Sequence, residues 1–163
     1  MATDPVIELI AQSFVDDITA ITVANGFNYD LTAARPTRLG FDDLHLHKDL
    51  TVLILQEDPV EESDIAAEGN PPMKAWRQTF ILLAYVMESD KTTDPIDTKI
   101  NRIQADIIKK IKADIKRDDN ALDTIVTGTS TGEFENAPGL AGIQIFVDVL
   151  YRTSELDPYV NRG

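Results

Sequence analysis

The chain contains no cysteine. Disulfides, iron–sulfur clusters, thiolate zinc sites and cysteine nucleophiles are thereby excluded, while the redox compartment stays open. Histidine is nearly as scarce, with two residues. Basic residues are few: 15 Lys and Arg stand against 28 Asp and Glu, a net charge of −13 at neutral pH. A protein that wraps duplex DNA or lies on an anionic membrane needs basic patches, so both classes are disfavoured. Long apolar runs are absent too. The longest, Phe80 to Met87, falls short of the roughly 20 residues that a bilayer crossing requires. The N-terminal stretch MATDPVIELI is acidic and has no basic region ahead of an apolar one, unlike a signal peptide. The expectation is a soluble protein kept in the cytoplasm where it is made.

What is present suffices for one domain spanning residues 1–163. The length of 163 residues is close to a typical ~150-residue unit. A 43% hydrophobic fraction supports a core, and a chain of this size buries about two-thirds of its unfolded surface. Charge is unevenly placed. Residues 1–75 hold 14 acids and 4 bases, residues 76–120 hold 8 and 9, and residues 121–163 hold 6 and 2. Lys99–Arg117 alone carries seven bases against Asp106 and Asp114.

Two segments have helical periodicity. Asp4 and Pro5 suit a cap and a first helical position. Ile7, Ile10, Phe14, Ile18 and Ile21 then form an apolar stripe, and Asn25-Gly26 supplies the stop. Asp94-Pro95 repeats the start signal, and Ile96, Ile100, Ile103, Ile107, Ile111 and Ile115 form the second stripe. Lys99, Arg102, Lys109, Lys112 and Lys116 fall on its other faces. Asp114 falls in the stripe by angle, which predicts fraying, pairing or a contact there.

Strands are predicted at Leu50–Gln56, Trp76–Met87 and Ile143–Arg152, with weaker ones at Asp123–Thr127 and within Phe27–Leu39. Trp76–Met87 is apolar on both faces, which predicts a central strand or a second face that meets a partner. Arg35-Pro36 confines the 27–39 strand to an edge or a strand end. The fold class predicted is α+β: a mostly antiparallel sheet of four to five strands with two amphipathic helices packed on one face. Asp58–Lys74 reads as an acidic loop, long enough to be mobile or a contact arm. Residues 153–163 read as a short tail.

Chemical motifs are few. His45 and His47 would share one face of a strand, near Asp42, Asp43 and Asp49, and could converge on a metal. No further histidine exists to complete a site, and two polar residues on an edge strand is the plainer reading. Thr127–Gly132 (TGTSTG) has the glycine and hydroxyl content of a phosphate loop. It lacks the Gly-Lys-Ser/Thr ending and lies between strands, so a hairpin turn is predicted instead. No catalytic, cofactor-binding or metal-binding residues are assigned, no cofactor is implied, and an enzyme has little support. The basic helix reads either as a solvated face or as an interface with an acidic surface. In a homo-oligomer that surface could be the neighbour's acidic N-terminal half.

The closing stretch carries a family resemblance. Val149-Leu150-Tyr151-Arg152-Thr153 followed by Asp157-Pro158-Tyr159 resembles the ends of tail terminator and related minor tail proteins of long-tailed bacteriophages. Element order along nearly the whole chain is compatible with that family. The resemblance implies a non-enzymatic virion protein forming a ring, usually a hexamer. Such a ring caps the tail tube, ends its polymerisation and joins the tail to head–neck connector proteins. Genomic DNA would pass through without specific binding, and an acidic wall suits that passage. A neighbouring neck role, tail completion or head–tail adaptor, is the alternative within the same biology. A monomeric metal- or ligand-binding module is the alternative from another class. Interface candidates are Lys99, Arg102, Lys109, Lys112 and Lys116 on the basic helix, Glu61, Glu62, Asp64 and Glu68 on the acidic loop, and Arg152, Asp157 and Tyr159 near the C-terminus.

Overall fold

In the computed structural model, residues 4–35, 49–63, 68–87, 94–133 and 140–161 are described. His45, His47 and Asp64 lie outside them. The order is α1 (Val6–Thr19), β1 (Thr32–Ala34), β2 (Thr51–Gln56), β3 (Val60–Glu61), β4 (Met73–Met87), α2 (Ile96–Ala113), β5 (Asp123–Glu133) and β6 (Leu140–Ser154). The fold is α+β, with six strands among the described residues where four to five were predicted. The sheet order is β1-β2-β4-β6-β5, and β3 pairs with β4 off this path. Every pairing is antiparallel except β1 with β2.

β4 and β6 form the spine. They pair without interruption from Met73↔Ser154 to Met87↔Leu140. Alternation along both strands sends Phe80, Leu82, Ala84, Val86, Ile143, Ile145, Val147, Val149 and Tyr151 to one face. There they meet Val6, Ile10, Phe14 and Ile18 of α1 and Ile103, Ile107 and Ile111 of α2. Both helices therefore cover the same face, as the stripes predicted. The other face of the sheet carries a smaller cluster of Leu53, Leu83, Tyr85 and Leu140. β4 is central, flanked by β2 and β6, and its second face supplies Leu83 and Tyr85 to this smaller cluster.

Several boundaries differ from the sequence reading. α1 begins at Val6 with Pro5 in the cap position, and no side chain caps it, so Asp4 does not fill the predicted role. The carbonyl of Pro5 instead accepts from the amides of Glu8 and Leu9. α1 ends at Thr19, and the Asn25-Gly26 stop closes a separate short 3-10 turn, Val23–Asn25, through Gly26 at φ 84°. α2 likewise has Pro95 at its cap and no side-chain cap bond. Asp114 lies beyond its last turn, where the carboxylate accepts from the amides of Lys116 and Asp118. Ile115 thus leaves the stripe and is exposed.

The predicted turn at Gly128–Gly132 is not a turn. β5 runs straight through it, pairing Gly128↔Phe146 to Glu133↔Ala141, with a register shift between Val126 and Gly128. A bulge absorbs the irregularity that glycine and hydroxyl content suggested. The loop at 58–74 also contains order: β3 lies within it, and β4 begins before its end at Met73.

Candidate interface

The basic helix does not present its cations as a single face. Lys99 is buried, with its side chain 3% exposed. Its Nζ donates to Asp49 at 2.6 Å and to the Met87 carbonyl at 3.1 Å. Asp49 also accepts from the Met87 amide. Lys99 thus ties the end of β4 to the approach to β2 and is removed from the interface candidates. The reason is angular, because its position beside Ile96 and Ile103 turns it inward over the sheet end.

Arg102 pairs with Asp94 at 2.6 Å, and Asp94 also accepts from the Tyr29 hydroxyl. The bond with Tyr29, followed by the charge of Asp94, raises the Arg102 pKa. Burial chiefly raises that of Tyr29. Lys109 lies over the Phe27 ring, 5.3 Å from its centroid, a cation–π contact. Asp106 is buried and receives the amide of Asn28 at 2.8 Å and its side-chain nitrogen at 3.0 and 3.1 Å. Asp106 and Lys109 thus hold the segment between α1 and β1 directly, and Arg102 does so through Asp94 and Tyr29. Lys112 and Lys116 are exposed and form no ion pair among the described residues.

At the C-terminus the motif residues close the fold. Tyr151 is buried, and Thr153 accepts from the Trp76 indole at 3.0 Å. Asp157 bridges back to Ser154, and its carboxylate accepts from the Tyr159 amide at 3.0 Å. Pro158 accepts from the amide of Val6, seating the tail against the start of α1. Arg152 is half-buried opposite Ala75, and the Tyr159 ring is exposed. The segment predicted as a tail is thus a turn, and Asp157 acts within it.

The acidic segment borders one edge of the sheet. Glu62 pairs with Arg77 at 2.8 Å, Glu61 stands 3.9 Å from Lys74, and Glu68 is exposed. Beside them, Val60 of β3 is 59% exposed. Ile125 of β5, at the opposite edge, is 43% exposed. Sequence patterns did not single out either residue, since Val60 falls in the predicted acidic loop and Ile125 in a predicted weak strand. The exposed pair became visible only with the strand order.

The two sheet edges differ in character. Beyond β5 no strand pairs among the described residues, and its 11 residues carry charge only at Asp123 and Glu133. Natural edges are commonly blunted by shortness, proline or charge, and β5 has none of these along its middle. The other edge is shorter and more acidic. β1 has three residues, and Arg35 just past it clamps Glu8 of α1. The Arg35 hydrogen bonds lower the Glu8 pKa. β3 is bordered by Glu57, Asp58 and Pro59. Among the described residues no group of His, Asp or Glu is placed to hold a metal ion, and no helix is long and apolar enough to cross a membrane. In comparisons with protein-family models and with curated proteins, the chain matches none.

Proposed function

We propose that this chain is a structural subunit of a bacteriophage tail terminator, joining further copies in a ring, usually of six, at the head-proximal end of the tail tube. The observation that carries the reading is the unlike pair of sheet edges, open β5 on one side and acidic β3 on the other. A ring closes through two different surfaces per subunit, and unlike edges meet that requirement. The resemblance of the closing stretch 149–159 supports the same reading. So does the net charge of −13, which suits a passage that DNA crosses without being held. Tube protein and neck connector proteins are the partners this role requires, and the virion is its location.

A particle lacking this chain tests the role. The expected result is tube polymer of uncontrolled length that does not join heads, with normal length restored by the chain in trans. Normal tails with a defect confined to the head side would move the chain to an adaptor role. Solution mass and negative-stain imaging of the purified chain are expected to show closed rings.

A further inference from the structure

We infer that the ring contact is a sheet-edge joint in which the start of β5, Leu122–Val126, lies antiparallel beside Glu57–Glu61, the segment that ends in β3, of a second copy. The inference rests on the ring reading above and specifies its contact.

Height and direction within the sheet support it. Val60 pairs with Arg77, Arg77 with Leu150, and Leu150 with Asp123, so Val60 and Asp123 share one row. Ile125 stands two residues along, opposite Asp148, and hence on the same face as Val60. β3 runs antiparallel to β4, β4 to β6, and β6 to β5. A neighbour continuing the sheet therefore presents β3 antiparallel to β5, the arrangement that edge addition uses. The two exposed apolar residues, one on each edge, would then be diagonal neighbours on that face, with Ile125 directly opposite Asp58.

Edge shape agrees as well. β1 lies beside Thr51–Leu53 only, and β3 begins lower, beside Trp76 and Arg77, so this edge is stepped. The level between them is the row Leu55, Ile81, Phe146 and Gly128. On β5 the register shift between Val126 and Gly128 falls at that same level. A bulge bends its strand, so the lower part of β5 can follow β3 while the upper part turns to pass β1.

Charge contributes modestly. Lys116 and Ile115 lead into β5 through their carbonyls, which accept from Ala121 and Thr124. Lys112 and Lys116 thus stand on the helix side of the β5 edge, where Glu61 of the next copy would arrive. Asp118, Asp119 and Asp123 occupy the same end and offset part of the attraction. Edge pairing and the Val60–Ile125 diagonal carry most of the joint.

The absence of cysteine provides the test, since introduced thiols are unique. Val60→Cys/Ile125→Cys, treated with a short bis-maleimide, is expected to give a ladder above the dimer on a denaturing gel, while each single variant stays monomeric. Both sites are exposed, and unchanged circular dichroism verifies the fold. Multimers seen by light scattering without a ladder overturn the joint and leave the ring reading standing. Efficient dimers of Ile125→Cys alone overturn it in favour of two-fold β5 pairing. A chain that stays monomeric at high concentration overturns both the joint and the ring.

Discussion

Arg117 donates to Asp17 at 2.5 Å, joining the turn after α2 to the end of α1 across 100 residues of sequence. Its side chain has no exposed surface. The other guanidinium nitrogen donates to the carbonyls of Ile111, at 2.6 Å, and Asp114, and the group lies 4.8 Å from the Phe14 ring. Lys110 adds a second cation at 3.3 Å from Asp17. These bonds supply partners for helix carbonyls that α2 leaves open at its last turn.

Arg117→Ala is therefore expected to cost about 2–4 kcal/mol, since it leaves a cavity and an unpaired Asp114 carbonyl, with Asp17 held by Lys110 alone. Urea unfolding followed by circular dichroism measures it. Asp17→Asn keeps one acceptor and is expected to cost less. Equal and small losses in the two variants would show that the cluster does not bind α1 to α2.

The alkaline limit of stability should follow the tyrosines. Burial pushes Tyr85 and Tyr151 up to about 12 from the ordinary value near 10. Both ionise more readily unfolded than folded. Their contribution is complete below pH 10 and is lost as pH rises through 12. Each accounts for roughly 2–3 kcal/mol at most over that window. Tyr151→Phe is expected to flatten the decline between pH 10 and 12 while leaving the unfolding free energy at pH 8 within about 1 kcal/mol of the parent. An unchanged slope would mean that Tyr151 ionises without unfolding.

Periodicity exposed the scaffold because burial repeats: the isoleucine stripes and the alternation of β4 and β6 are direct imprints of which face is dry. Lys99, Asp106 and Arg117 were not legible in the same way. A charged residue is buried only when a specific partner meets it, and Asp49, Asn28 and Asp17 lie far away in sequence. The TGTSTG stretch misled for a related reason. Glycine and hydroxyls mark turns when local bonding decides, but here the ladder to β6 decides, and β5 continues to Glu133. The YRT and DPY residues were noticed as a family pattern, and their visible work is local closure around Trp76 and Val6.

That closure can be followed with the chain's single tryptophan. Thr153→Val removes the acceptor of the Trp76 indole at nearly constant volume. The expected cost is about 1 kcal/mol, with a shift in Trp76 emission. Loss of stability with an unmoved spectrum would place the effect elsewhere in the turn at 154–161.

Salt and charge reversal separate the two surfaces of α2. Lys112→Glu/Lys116→Glu changes exposed side chains without ion pairs among the described residues, so monomer stability is expected to move by less than about 0.5 kcal/mol. Assembly should weaken several-fold at low ionic strength, and the difference from the parent should shrink toward ~1 M salt as screening removes the charge contribution. Sedimentation at both salt concentrations reads the two effects together. Lys109→Glu would act differently: it loses the contact over Phe27, so its cost should appear in the monomer. If the Lys112/Lys116 variant assembles like the parent at every ionic strength, the end of α2 and the turn after it take no part in the contact between copies, and these two lysines are simply solvated.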